Sequence, residues 1–175
     1  MVEKIKNFIL FNNTFYVVKN FLPKKVIKKL LHDINIEIKK PYPKVPKYQT
    51  YPYLFDKYKN NKEWKCYFDR LDKVISELNP RYLIHSCWAN VVKSKTNYFL
   101  HRHQTDISCV YYLKNKYKEF GTYFNFYDQE FIFPGEENSL LIFNGKLTHS
   151  TTMPPVSICK KDPRYTLVTD YIYKN

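Results

Sequence analysis

Apolar positions in this chain follow one spacing up to about residue 80 and another beyond it. Near the start, Phe8-Ile-Leu-Phe11 and Thr14-Phe-Tyr-Val-Val18 are aromatic and β-branched, which predicts one or two short strands across residues 8–18. Pro23 then opens a helix, since proline is tolerated at the first helical position, and Ile27, Leu30, Leu31, Ile34 and Ile38 recur at helical spacing with lysines on the other face. His32 falls within this pattern and reads as structural. Residues 41–54 hold four prolines and four tyrosines, so they cannot form a regular helix and predict a long loop, either a lid or a stiff surface connection. A second helix follows, with Asn60 and Glu63 at capping-box spacing, an apolar stripe of Trp64, Tyr67, Phe68, Leu71, Val74, Ile75 and Leu78, and a stop at Asn79-Pro80.

After residue 80 the texture becomes short β-like runs separated by turn signals: Tyr82–Val92, Phe99–His103, Ile107–Leu113, Thr122–Tyr127, Glu130–Phe133, Ser139–Phe143 and Tyr165–Tyr173. Two helices followed by seven or eight short strands predict an α+β fold with the strands closing as a jelly roll. The length of 175 residues suits a single domain, with 1–80 giving a strand and helical support and 81–175 the jelly-roll core.

Composition changes this picture little. A chain that is 44% hydrophobic and 18% aromatic can bury a sizeable core. No apolar run approaches the ~20 residues that span a bilayer. The first twelve residues lack a long apolar h-region and a small-residue cleavage site, so an intracellular, cytoplasmic protein is expected. Cys66, Cys87, Cys109 and Cys159 lie far apart without a C-x-x-C pair, which predicts free thiols, Cys109 within a core strand. The net charge of +13 invites nucleic acid as a partner. All but four of the 29 basic residues are lysines, however, alongside many Asn, Ile and Tyr, as an AT-rich genome's codons produce. That bias makes Arg70, Arg81, Arg102 and Arg164 the more informative cations.

The candidate chemistry lies in His101-Arg-His103, immediately ahead of an apolar strand. Residues i and i+2 of a strand project to one face, so His101 and His103 can aim at one centre while Arg102 points away. His149 follows the run Ser139-Leu-Leu-Ile-Phe-Asn144, and Arg164-Tyr-Thr166 opens the last run. Paired histidines on a strand are often surface hydrogen-bonding residues; the distant histidine and arginine in this order are what favour a metal site. His85 reads as structural.

These residues carry a family resemblance. In Phe15-Tyr-Val-Val-Lys-Asn-Phe-Leu-Pro23, Trp88-Ala-Asn90, the block from His101 to Leu113, the block from Leu140 to Ser150 and Arg164-Tyr-Thr166, the chain from about Asn12 onward resembles the Fe(II)/2-oxoglutarate-dependent oxygenases of the prolyl-hydroxylase branch. The resemblance implies a double-stranded β-helix, that is, a jelly roll with N-terminal supporting helices. It implies Fe(II) and 2-oxoglutarate as cofactors, with ascorbate as an accessory, and hydroxylation of a small-molecule or peptidyl substrate such as proline. The family's usual metal motif is H-x-D followed by a distant H; here His103 stands in the acidic slot, as in a subgroup found in bacteria and viruses. His101 and His149 map onto the histidine ligands. His103 completes the set, or Asp106 reaches back in its place; spacing two matches the strand period and spacing three does not. Three imidazoles are reasonable ligands for Fe(II), because the 2-oxoglutarate dianion supplies negative charge.

Arg164 resembles the arginine that pairs with the distal carboxylate of 2-oxoglutarate, a role its bidentate fork suits. Thr166 matches the R-x-S/T pattern, and Tyr112 corresponds to a tyrosine that bonds the same carboxylate, with a core aromatic as its other reading. Asn90 and Tyr98 are further candidates for lining the cofactor pocket. Two other readings stay open: a cupin-type dioxygenase with three histidines and no keto-acid, and an inactive jelly-roll module that binds nucleic acid or a protein.

Overall fold

Two antiparallel sheets face one another across a layer of aromatic and aliphatic side chains. The structure, a computed structural model, describes residues 5–43, 45–46, 48–92, 99–126, 129–152 and 161–174. Within these residues the chain runs β1 (Lys6–Leu10), β2 (Asn13–Val18), α1 (Lys24–Glu37), α2 (Leu54–Tyr58), α3 (Lys62–Leu78), β3 (Tyr82–Val92), β4 (Ile107–Lys114), β5 (Thr122–Phe126), β6 (Gln129–Phe133), β7 (Ser139–Asn144), β8 (His149–Thr151) and β9 (Arg164–Tyr173). The larger sheet has the order β1-β2-β7-β4-β9-β3 and the smaller one β6-β5-β8, the double-sheet arrangement of a jelly roll.

The period-2 alternation of the central strands decides what each face does. Cys109, Tyr111 and Leu113 of β4, Leu140 and Ile142 of β7, and Tyr165, Leu167 and Tyr171 of β9 turn outward to a core shared with Leu30 and Ile34 of α1 and Trp64, Tyr67, Leu71 and Ile75 of α3. The alternate residues Val110, Tyr112, Leu141, Phe143 and Val168 turn inward, where they meet Phe15 of β2 and Phe124 of β5. Hydrogen bonds tie the helices to β9: Tyr67 Oη with Thr169 Oγ1 at 2.9 Å, Tyr171 Oη to Asp72 at 2.8 Å and Tyr165 Oη to Asn35 at 2.8 Å.

The helix stripes and most strands fall where the apolar spacing predicts them, and the departures have local causes. Asn61, rather than Asn60, caps α3, its side chain accepting from Glu63 N at 3.2 Å. A cap contributes about 1 kcal/mol, whereas each fully buried large apolar side chain contributes about 1.5–3 kcal/mol, so packing of Trp64, Tyr67 and Leu71 secures the helix whichever asparagine begins it. The one-turn helix α2 was not expected. Residues 99–103 form no strand; only an isolated bridge pairs His101 with His149. Strand β8, three residues long, escaped notice because nothing in so short a run distinguishes it. Cys87 and Cys109 are buried free thiols with acidity suppressed by burial, Cys66 is a free thiol partly open to solvent, and Cys159 lies outside the described residues.

Glu37, at the end of α1, fixes the course of the Pro- and Tyr-rich connection. Its Oε1 accepts from Lys40 Nζ (2.7 Å), Lys57 Nζ (2.8 Å) and Tyr58 Oη (2.7 Å), and Oε2 accepts from Tyr42 Oη at 3.3 Å. Tyr42 in turn accepts from Tyr53 Oη at 2.7 Å, so one carboxylate gathers both ends of the connection. Burial opposes ionisation of Glu37, but the bonds from Lys40, Lys57 and Tyr58 overcome it and hold its pKa at about 2. A depressed carboxylate stabilises the fold fully above its unfolded pKa and loses that contribution as pH falls through its folded value. Urea unfolding should therefore show a component lost between the ordinary value of 4.5 and about 2. Glu37→Gln should be less stable at neutral pH and lack that component, so the two stability curves converge in acid; parallel curves would show that Glu37 does not carry it.

Candidate metal centre and its cavity

His101 and His149 are joined as an antiparallel pair: each backbone N–H donates to the other's carbonyl at 2.9 Å. His103 N donates to Gly145 O at 2.8 Å, which lays the segment along the turn that leads into β8. Gly145 permits this approach, because a Cβ there would stand 2.7 Å from both Thr105 O and Thr105 Oγ1. Extended backbone thus gives His101 and His103 a common side without a full strand. The turn Asn144–Leu147 delivers His149 to the same place, and the ring centroids lie 4.5, 4.9 and 5.2 Å apart.

Hydrogen bonds determine which nitrogen each ring presents. His101 Nδ1 lies 2.9 Å from Phe99 O and His149 Nδ1 lies 2.7 Å from Leu147 O. A carbonyl only accepts, so each Nδ1 carries the proton and each Nε2 keeps its lone pair. His103 Nδ1 faces the Asp170 carboxylate at 2.9 Å and Ser108 Oγ at 2.8 Å, while Ser108 Oγ donates to Asp170 Oδ1 at 2.6 Å. One ligating atom from each ring lies within 4.8 Å of the other two, so the three form a group that could hold one metal ion. Burial lowers the pKa of His149 to about 3, the nearby histidines adding to the effect. Partial withdrawal from water lowers that of His101, with His103 contributing. Both rings are therefore neutral at pH 7, the form that binds a metal.

The histidines open on a cavity of about 420 Å³, within the range of small-molecule sites. Val110 and Val168 line its floor, Trp88 packs against His103 with centroids 5.4 Å apart, and Tyr48 and Gln49 form part of the wall. Residues 48–50 lie along β3 through Val91 N to Tyr48 O (2.7 Å), Thr50 N to Ala89 O (2.9 Å) and a bridge between Gln49 and Asn90. The Pro- and Tyr-rich connection thus borders the cavity, as a lid would, while covering the edge of the larger sheet. Away from the histidines, the hydroxyl residues Thr122, Thr151 and Thr166 line the wall. None of the described residues lining the cavity is Asp, Glu, Lys or Arg, in a chain of net charge +13.

The other expected site residues are placed as follows. Thr166 and Asn90 line the cavity. Tyr112 is buried, its Oη 2.6 Å from the hydroxyl of Thr122, and burial pushes its pKa up to about 12. Arg164 is 3% exposed and stands behind the hydroxyl wall: Nη1 donates to Phe120 O (2.9 Å) and Thr152 O (3.1 Å), and Nη2 to Thr151 Oγ1 (2.8 Å). Asp106 does not join the histidines. Its carboxylate accepts from Tyr173 N at 2.8 Å and Lys146 Nζ at 3.4 Å, and the Tyr173 bond lowers its pKa. The chain turns at Asp106 into β4, which carries this side chain toward the end of β9. Tyr98 lies outside the described residues. Sequence reasoning missed Asp170 and Ser108; the signal for Asp170 was an acid in an apolar strand at even spacing from Arg164 and Thr166.

No protein-family model and no curated protein sequence matches the chain. Solved structures do. A prolyl hydroxylase from Trichoplax adhaerens, solved with a peptide fragment of the hypoxia inducible factor oxygen degradation domain, superposes with a TM-score of 0.66 at 14% identity over 91% of this chain and 83% of that one. A viral collagen prolyl hydroxylase from Paramecium Bursaria Chlorella virus-1 gives a TM-score of 0.65 at 12% identity, covering 95% and 93%. HygX from Streptomyces hygroscopicus, solved with nickel and 2-oxoglutarate, gives 0.62 at 11% identity, covering 91% and 82%. At these identities the likeness is one of fold.

The bonding of Arg164 makes its removal a stability experiment. Arg164→Met keeps much of the volume but leaves the carbonyls of Phe120 and Thr152 without this donor, which should cost about 3 kcal/mol in urea unfolding. Arg164→Lys should recover part of the loss, since an ammonium cannot reproduce the fork. A loss below about 0.5 kcal/mol in Arg164→Met would show that the clamp contributes nothing.

Proposed function

We propose that this chain is a non-haem Fe(II)- and 2-oxoglutarate-dependent oxygenase, working as one domain over residues 1–175, with His101, His103 and His149 as metal ligands. The observation that carries this reading is the convergence of three imidazoles, each held through Nδ1 by an acceptor, on one side of a cavity whose described lining carries no Asp, Glu, Lys or Arg and is backed by a guanidinium. The donor set fits the metal, because imidazole nitrogen is a borderline ligand that suits Fe(II) as well as Ni(II) and Zn(II). The cavity fits a dicarboxylate, with Arg164 supplying charge and Thr166, Thr151 and Thr122 supplying hydroxyls. Tyr112 supports that wall through Thr122, and Asn90 faces the cavity from β3.

When bound, Fe(II) with 2-oxoglutarate and O2 supplies an oxidation that places one oxygen atom on a substrate C–H bond and releases succinate and CO2. The chain's own residues frame that chemistry. Phe99 O, Leu147 O and Asp170 fix the ring tautomers and orientations. Val110, Val168 and Trp88 give the cavity apolar surface beside the histidines. Tyr48 and Gln49 shape the wall beside β3, and the absence of charge among the described lining residues favours an uncharged substrate group. A peptidyl residue such as proline is the first candidate, in line with the peptide bound by the Trichoplax enzyme.

A second reading is favoured by one observation: no carboxylate is among the three ligating groups, which is also the donor set of a three-histidine dioxygenase that uses no keto-acid. Succinate separates the two. With Fe(II), 2-oxoglutarate and ascorbate supplied, and a panel of prolyl peptides and small neutral amides, the purified chain should release succinate, and His149→Ala should release none. Arg164→Lys should bind metal normally yet show an apparent 2-oxoglutarate affinity weaker by ten-fold or more, about 1.4 kcal/mol per factor of ten. Oxygen uptake without succinate, or unchanged 2-oxoglutarate affinity in Arg164→Lys, would bring the second reading forward.

A further inference from the structure

Of the acceptors that hold the three Nδ1 atoms, two are backbone carbonyls and the third is a carboxylate. Asp170 is 3% exposed on the inward face of β9, in line with Thr166 and Val168. Its hydrogen bonds come from His103 Nδ1 at 2.9 Å and Ser108 Oγ at 2.6 Å. His103 is its only ion-pair partner among the described residues, and no lysine or arginine reaches it. A carboxylate withdrawn from water needs a compensating positive charge close by. A dication on the far nitrogen of the His103 imidazole supplies one.

Taking the three histidines as a metal centre, we propose that Asp170 is the carboxylate of that centre, acting one hydrogen bond outside the ligand set and through the ring of His103. A set of two histidines and one carboxylate gives a divalent ion a net site charge of +1. Three neutral histidines would give +2, and Asp170 returns the total to +1 without occupying a coordination position. Accepting from Nδ1–H, it also makes Nε2 of His103 the more basic ligand, as carboxylate–histidine–metal units do. Ser108 Oγ, donating to Asp170 Oδ1 at 2.6 Å, helps to hold the carboxylate in this contact. Asp170 is thus a positioning residue: it sets the charge and orientation of His103 and touches neither substrate nor metal.

The test uses the full-length chain, stripped of metal and titrated with Co(II), whose visible absorption reports both occupancy and coordination geometry. Asp170→Asn keeps an acceptor oxygen for Ser108 and removes the charge. It should weaken Co(II) binding ten- to hundred-fold while leaving the shape of the absorption band unchanged. Ser108→Ala keeps the charge and should weaken binding by less than about three-fold, on the same scale of outer-shell effects. A second pair of variants serves if Asp170→Asn folds poorly. His103→Asp sets two carboxylates against each other, whereas His103→Asp with Asp170→Asn restores two histidines and one carboxylate, so the double variant should bind Co(II) more tightly than His103→Asp alone. If Asp170 is only a buried hydrogen-bond acceptor, the double variant binds more weakly than His103→Asp. That result, or Co(II) affinity unchanged in Asp170→Asn, overturns the proposal while leaving the metal centre in place. A wild-type chain that gives no Co(II) band removes the centre itself and the proposal with it.

Discussion

Burial of the central strands on both faces is the constraint from which the rest of the structure follows. β4, β7 and β9 cannot offer either face to water, so alternate side chains must serve two environments at once. The outward set is apolar and aromatic and meets the stripes of α1 and α3. The inward set mixes Val110, Leu141, Phe143 and Val168 with Ser108, Thr166 and Asp170. The helices therefore hold the larger sheet from behind, which leaves its other face to build the cavity and the histidine group.

Several polar groups on that inward face are held by partners, because an unsatisfied one would cost about 1–3 kcal/mol. Tyr112 meets Thr122, Ser108 meets Asp170, and Arg164 clamps the chain entering β5 and leaving β8. Each histidine ring is likewise held through Nδ1, so the only nitrogens left over are those that converge. The orientation of the three rings is thus fixed by hydrogen bonds within the fold itself.

The connection between α1 and α3 shows the same economy. Glu37 gathers Tyr42 at one end and Lys57 and Tyr58 at the other, and the middle of the segment docks on the edge of β3. An edge strand is thereby covered, and the covering segment brings Tyr48 and Gln49 to the cavity. One stretch protects the sheet and helps to shape the site.

Spacing alone determined much of this. The helical stripe of Trp64, Tyr67 and Leu71 and the aromatic and β-branched runs after residue 80 marked the elements, because helical and strand periods are written locally. The histidine pair and the distant His149, which the structure brings together, were legible as candidates for one cluster through their order and their resemblance to a known family. What the sequence could not decide was which face of a doubly buried strand looks inward, since Cys109 to Leu113 of β4 reads as a continuous apolar run with no alternation. Only the tertiary structure put Asp170 against His103 and carried Asp106 away to Tyr173, because those contacts span 67 residues in each case and no local period records them. It also showed Arg164 giving its donors to backbone carbonyls, a partnership invisible in a string of residues because a carbonyl leaves no mark in the sequence.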